Sequence, residues 1–285
     1  MAAPFVDEPA QHDALLKDRA RFYEEFLENQ NYTYSDDIVR MLNLDQTRLI
    51  VNLDDLRAYR RELADKLVLS LSLSFSLSRV QPVLTRRFGT NASLLKQPTD
   101  FLPAFNKGLL DRITTLRDHQ KHAIEGKEYK IGFSGSFGDH HVNPRTLRAN
   151  HLNLMISLEG IVTRCSLVRP KMLKSVHYSP KNGNWVYRIY RDATTASHLP
   201  PTSAITPQVD DEGNPLQTEF GLCEFRDQQR ISIQEMPERA PAGQLPRSTD
   251  VILDDDLVDK CKPGDRIQLV GVYRGLGGGT GGGFK

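Results

Sequence analysis

Near Lys127 the period of the hydrophobic pattern changes, and that change rules out both an all-helical and an all-strand chain. From Asp13 to Glu28 the residues Leu16, Ala20, Tyr23, Phe26 and Leu27 recur at three- and four-residue intervals, which aligns them on one helical face. A second helix is expected after Asp54 and Asp55, whose carboxylates suit the positive end of a helix, with Leu56, Tyr59 and Leu63 on its apolar side. A third fits Phe101, Phe105, Leu109, Ile113 and Leu116, with Pro103 expected in its first turn, where a missing N–H costs nothing. Beyond Lys127, short segments rich in Val, Ile, Tyr and Phe alternate with Gly, Pro, Asn and Asp, the pattern of an antiparallel β domain. Expected strands are Lys130–Phe133, Met155–Arg164, Met172–Tyr178, Trp185–Tyr190, Cys223–Arg226, Arg230–Glu235, Thr249–Leu253 and Arg266–Tyr273. The last of these reads as mostly buried and follows a turn at Pro263-Gly264-Asp265. Short strands with long excursions favour a small barrel over a sandwich, although periodicity alone does not separate the two.

Composition narrows the function classes. A chain of 285 residues with 39% apolar side chains buries a substantial core. Its 37 basic and 36 acidic residues leave a formal charge of +1, so any contact with nucleic acid must be local rather than a global field. Cys165, Cys223 and Cys261 are odd in number and far apart, which argues against a disulfide framework and for a reducing compartment, cytosol or nucleus. With no basic segment leading an apolar core and no run of 18 apolar residues, neither secretion nor membrane spanning is expected. Two stretches depart from the pattern. Leu69–Ser78 alternates strictly, as an exposed amphipathic strand would, inside an acid-free stretch Leu67–Ser93. Gly275–Lys285 carries seven glycines and reads as a flexible loop or an unfinished hairpin.

Four bases, Arg164, Arg169, Lys171 and Lys174, lie without an intervening acid between Val162 and Ser175. They fit either a solvated strand surface or a patch that tracks a phosphate backbone. His177, Tyr178, Trp185, Tyr187 and Tyr190 follow, suited to base stacking or to cross-strand pairing. Structural zinc needs four thiolate or imidazole ligands, usually in close pairs, and no such pair occurs. His177, His198 and Cys223 would have to be gathered by the fold, so no metal is expected. No catalytic residues are expected either. Asp254-Asp255-Asp256 suits the start of a short helix Asp255–Lys260 better than a divalent-metal site, and the adjacent imidazoles of Gly138–His141 lack a completing carboxylate. No phosphate-cradling G-x-x-x-x-G-K-[ST] is present.

Gly132-Phe-Ser-Gly-Ser-Phe-Gly138 with Pro144-Arg145-Thr146-Leu147, then His151-Leu152 and Ser157-Leu158-Glu159-Gly160-Ile161-Val162-Thr163-Arg164, resemble motifs of the minichromosome maintenance (MCM) family of replicative helicase subunits. Gln234–Glu238, Gln244–Ser248 and Val251–Lys260 with Pro263-Gly264-Asp265 continue the likeness in the family's order. Val168–Met172, Ser175–Tyr178 and Val251–Asp256 look like one of the six eukaryotic paralogues and unlike the others. The resemblance implies an α+β fold with a helical subdomain over 1–126, containing an atypical insert at 67–93. An OB-fold β-barrel would follow over 127–285, with a zinc-ribbon-like, metal-free excursion at 177–226 and a glycine-rich incomplete hairpin at 275–285. Ser179 stands where a first zinc ligand of the family falls, and Ala64-Asp65 would join Leu94-Leu95 smoothly without the insert, as a translated intron would leave it. The resemblance further implies sister MCM subunits as partners in a heterohexamer and double hexamer, DNA in the ring, and a nuclear location. It places Gln234, Glu235, Gln244 and Arg247 on a loop that couples subunits. No cofactor is expected in this chain; ATP and Mg belong to a motor domain absent from it, so the chain is expected to be inactive alone. Two competing readings remain: a free-standing OB-fold binder of single-stranded DNA, and a metal-dependent hydrolase using Asp254–Asp256.

Overall fold

The computed structural model describes residues 8–70, 91–117, 126–191, 202–203, 205–210, 212–241 and 243–275. It divides into two compact units, one built from the residues up to His141 with Asn153–Ser157 and Val270–Tyr273, the other from Val142–Leu152 and Leu158–Leu269. Helices and a mixed set of strands make the chain α+β, as expected.

The first unit holds the helices α1 (Glu8–Glu28), α2 (Tyr34–Asn43), α3 (Leu53–Ser70), α4 (Asn91–Lys96) and α5 (Pro98–Leu116) with a parallel pair, β1 (Arg48–Asn52) and β2 (Lys130–Ser134). Its core is aromatic: Tyr23 stacks on Phe105 with centroids 4.0 Å apart, and Phe26 and Phe105 are fully buried. Gly108 lets α5 approach α1 closely, since a Cβ there would lie 2.6 Å from the carbonyl oxygen of Ala20. The Asn52 side chain accepts the Asp54 N–H at 2.9 Å and so caps α3, whose first turn carries Asp54 and Asp55 as expected. Tyr34 ties α2 to this corner, its hydroxyl donating to Asp55 at 2.7 Å and accepting the Asn52 N–H at 3.0 Å.

Several expectations change here. Helix α2 and strand β1 were not foreseen, although Tyr34, Ile38, Met41 and Leu42 form a buried helical stripe. The strand expected at Lys130–Phe133 does not join the antiparallel domain but pairs in parallel with β1. Pro103 lies inside α5, not in its first turn, because the helix already begins at Pro98. The bond forgone is the one to Thr99, still near the helix end, where interruption is least costly. Leu67–Ser70 continues α3, so the start of the alternating run is helical; a capped helix propagates one bond per residue and overrides a two-residue period. The rest of that run, residues 71–90, lies outside the described residues, as does the tail after Gly275.

The second unit is an antiparallel sheet with the order β10-β4-β8-β5-β6. Its strands are β3 (His141–Val142), β4 (Met155–Cys165), β5 (Arg169–Tyr178), β6 (Trp185–Ile189), β7 (Gln217–Thr218), β8 (Glu224–Gln234), β9 (Ser248–Asp254) and β10 (Arg266–Val272). The segments Cys223–Arg226 and Arg230–Glu235, expected as separate strands, are one strand, because Asp227-Gln228-Gln229 between them contains no breaker. β8 is the hub: its first half pairs with β5, its second with β4, and residues Gln228–Gln234 also pair with β9. Where β4 meets β8, a Cβ on Gly160 would sit 2.4 Å from Ile233 and 2.5 Å from the carbonyl oxygen of Gln234, so only glycine fits. β10 is half-buried rather than mostly buried, with Arg266 and Gln268 exposed. The expected helix Asp255–Lys260 is a single 3-10 turn, Asp255–Leu257. Extended backbone at Val258 (φ −65, ψ 139) followed by left-handed backbone at Asp259 (φ 59) stops it from growing. Among the described residues no helix is long and apolar enough to cross a membrane.

Candidate nucleic-acid interface

Two bulges decide where the basic residues point. Cross-strand partners share a face, and alternate residues of β8 define the two faces: Gln229, Ile231 and Ile233 are buried, while Glu224, Arg226, Gln228, Arg230, Ser232 and Gln234 face outward. On β5, Arg169 pairs with Gln228 and Lys171 with Arg226, so both face outward. Strict alternation would then send Lys174 inward. The register shift between Met172 and Lys174 inserts one residue and pairs Lys174 with Glu224 on the outward face. A second shift, between Val162 and Arg164 of β4, does the same for Arg164, which pairs with Ser232. All four candidate bases thus share one face, joined there by Arg226 and Arg230, which sequence reasoning did not single out.

The acids on that face are partly committed. Lys174 pairs with Glu224 at 3.1 Å, Arg230 stands 3.8 Å from Asp250, and Gln228 donates to Asp254 at 3.2 Å. Among the described residues Arg164 and Arg169 take no ion pair and remain exposed. The aromatics divide by register. Tyr178, Trp185 and Tyr187 lie outward; Trp185 is 56% and Tyr187 68% exposed, and the Lys174 ammonium sits 5.9 Å from the Tyr187 ring. His177 and Tyr190 lie on the opposite side.

That opposite side tests the residues for zinc. His177 is fully buried, with Nε2 2.8 Å from the Ser175 hydroxyl and Nδ1 3.0 Å from that of Thr218. Ser175 also bonds the Tyr190 hydroxyl at 3.1 Å. Cys223 accepts the Val176 N–H at 3.4 Å, and its thiol donates to the Glu219 carbonyl at 3.3 Å. The imidazole and the thiol are each spent on hydroxyl or backbone partners, and Ser179, buried with an unpartnered hydroxyl, is a poor zinc donor. Among the described residues no three His, Cys, Asp or Glu side chains gather into a metal-holding group; His198 lies outside them. Among the described residues the donor set does not fit zinc. Burial pushes the His177 pKa below its ordinary value.

The other candidates, Gln234, Glu235, Gln244 and Arg247, are organised by a residue not assigned a role from sequence. Arg145 donates through Nε to both carboxylate oxygens of Glu235 (3.0 and 2.9 Å), through one terminal nitrogen to the Gln244 side chain, and through the other to the Leu245 carbonyl at 3.1 Å. The Glu235 N–H donates to the carbonyl of Arg247 at 2.9 Å, closing the loop on itself, while the Arg247 side chain is exposed. Arg239 pairs with Glu159, and Arg266 with Glu238 at 2.6 Å, tying down the loop's 3-10 turn Pro237–Arg239. Gln234 closes β8 beside it, half-buried. The hint to Arg145 lay in its motif, Pro144-Arg145-Thr146-Leu147.

Among the described residues no three His, Cys, Asp or Glu side chains gather into a metal-holding group around the acidic run or the paired imidazoles. Asp254 ends β9 with Gln228, and Asp255 and Asp256 sit in the 3-10 turn. His141 bonds Ser157 at 3.3 Å.

Residues 141–277 match the family model described as the MCM OB domain, and residues 19–72 that of the MCM N-terminal domain. The chain is 49% identical over 276 residues, 95% of its length, to the DNA replication licensing factor mcm3 of Schizosaccharomyces pombe, and 44% identical over 95% of its length to the MCM3 licensing factor of Gallus gallus. With the maternal mcm3 licensing factor of Xenopus laevis it shares 43% identity over 96% of its length. The chain spans 28%, 30% and 31% of these three relatives.

Proposed function

Because the chain belongs to the minichromosome maintenance family, matching its N-terminal and OB domains, we propose that it is the DNA-contacting and subunit-assembly module of a replication-licensing helicase subunit. The observation that carries this reading is the outward sheet face, where two bulges bring Arg164, Arg169, Lys171 and Lys174 together beside Arg226 and Arg230. Point charges spread along a face bind a phosphate backbone without reading sequence, which suits a module that travels along DNA. The loop held by Arg145 serves contact with a neighbouring subunit through Gln244 and the exposed Arg247. The strands β5, β6 and β7 with the start of β8 form a ribbon-like excursion that needs no zinc. Sister MCM subunits in a heterohexamer and double hexamer are the partners, DNA is the ligand, and the nucleus is the site of action. ATP and Mg would be used by motor domains and not by these residues.

Mixing the chain with the sister subunits and duplex DNA tests this, read as co-elution and as a salt titration of binding. Incorporation, with DNA affinity that falls steeply with salt, is expected. Tight monomeric binding to short single strands, with no incorporation, would instead establish a free-standing OB-fold binder.

A further inference from the structure

Cys165 ends β4, and Cys261 lies in the loop between the turn Asp255–Leu257 and β10. Far apart in sequence, they meet in the fold. The Cys165 thiol donates to the Cys261 carbonyl oxygen at 3.8 Å, which brings the two cysteines side by side. Both are partly buried, within reach of a small solute. Their backbones are fixed independently of the sulfurs. Val162 donates to the carbonyl of Asp265 at 2.9 Å and accepts from Gly264 at 2.8 Å, pinning the loop to β4. Buried Gln229 clips the other side, donating to the Ser166 carbonyl and to Asp259, each at 3.0 Å, and accepting the Asp259 N–H at 3.0 Å. Cys223, by contrast, is engaged with Val176 and Glu219.

We propose that Cys165 and Cys261 form an oxidisable dithiol that a peroxide converts to an intramolecular disulfide. The Cys165 thiolate attacks one peroxide oxygen, the O–O bond breaks, and Cys165 becomes a sulfenic acid as the first water leaves. Cys261 then gives up its proton, its sulfur attacks that of Cys165, the S–O bond breaks and a second water departs. Two thiols supply the two electrons that reduce the peroxide. Burial, the neighbouring Cys165 thiol and the Asp265 carboxylate raise the pKa of Cys261, which suits it to the second step rather than the first. The bond ties the end of β4, beside Arg164, to the loop before β10, and so closes the whole excursion from β5 to β9 at its base. A link across a loop that long restricts the unfolded chain strongly.

Oxidising the folded chain with hydrogen peroxide, blocking residual thiols with N-ethylmaleimide and digesting without reductant tests this by mass spectrometry. A peptide joining Cys165 to Cys261, lighter by two hydrogens and cleaved by dithiothreitol, with Cys223 alkylated, is the expected result. Oxidation should also raise Tm by about 5 °C or more. The rise should persist in Cys223→Ser and vanish in Cys165→Ser. Because the mapping is made on the unaltered chain, it stands even where a variant fails to fold. Bridges that involve Cys223, bridges only between chains, or Cys165 and Cys261 both still alkylated would each overturn the assignment, whatever becomes of DNA binding.

Discussion

The Arg145 guanidinium grips the Glu235 carboxylate through Nε, 3.0 and 2.9 Å from its two oxygens, and Glu235 is only 1% exposed. Buried charge is tolerable only with such a partner.

Arg145→Ala should therefore lower stability by about 3–5 kcal/mol, since it leaves a buried carboxylate alone and frees Gln244 and Leu245 together. Arg145→Lys keeps the charge but not the fork, so it should recover only part of the loss. Urea denaturation measures the loss, and limited proteolysis within 236–247 reports the loop. If that loop stayed protected in Arg145→Ala, its anchoring would have to come from Arg239 and Arg266 instead.

Gly160→Val should be poorly tolerated. Its new atoms would enter space held by Ile233 and the backbone of Gln234, and neither can retreat without opening the β4–β8 ladder. Overpacking of this kind costs about 1–3 kcal/mol or more. The glycines at Gly183 and Gly213 have open space around them, and alanine there meets only the strain of a positive φ. Thermal melts of the three variants should rank accordingly.

The sequence showed element types far better than it showed faces. Helices with a long apolar stripe, such as α1 and α5, were legible because their period repeats over several turns. Helix α2 carries a stripe too, but over only 10 residues its period repeats too few times to stand out. The parallel pairing of β1 with β2 was hidden, since the partners are separated by α3 to α5 and no local signal reaches that far. The family was legible from ordered motifs. The grouping of its bases was not: the period of β5 and β4 sends Lys174 and Arg164 to the wrong face unless the bulges are known, and a bulge is a property of the pairing rather than of either strand. Arg145 was quoted in a motif, yet its role depends on Glu235 folding back onto it.

His177 makes a prediction about pH. It is buried, and desolvation lowers its pKa from the ordinary value of 6.5, so the folded chain binds this proton less readily than the unfolded one. The favourable contribution is complete above the unfolded value. It is lost as pH falls from about 6.5 toward the folded value. A melt series from about pH 7.5 down to pH 5 should show that decline, and His177→Gln should flatten it. Ser175, Thr218 and Tyr190 supply only hydroxyls to the cluster, so among the described residues desolvation alone sets the direction of the shift. The same melts repeated with a zinc chelator should be unchanged, because the imidazole and the Cys223 thiol are already satisfied. A chelator-induced drop in Tm would mean that a donor outside the described residues completes a site.

Phosphate contact by the outward face predicts a change of slope rather than of preference. Each base that neutralises a phosphate releases a counterion, so log affinity falls against log salt by about 0.9 per contact on duplex DNA. If the proposed ring forms on DNA, replacing Arg169 and Lys171 with Ala should weaken its binding about equally for unrelated sequences and flatten that slope by nearly two contacts. Arg226→Ala, on the same face and opposite Lys171, should remove a further one. Arg239→Ala should leave the slope alone, because its guanidinium is already spent on Glu159. An unchanged slope in the Arg169 and Lys171 double variant would mean that this face meets a protein neighbour, with the exposed Trp185 and Tyr187 as its contact residues, and that DNA runs elsewhere on the ring.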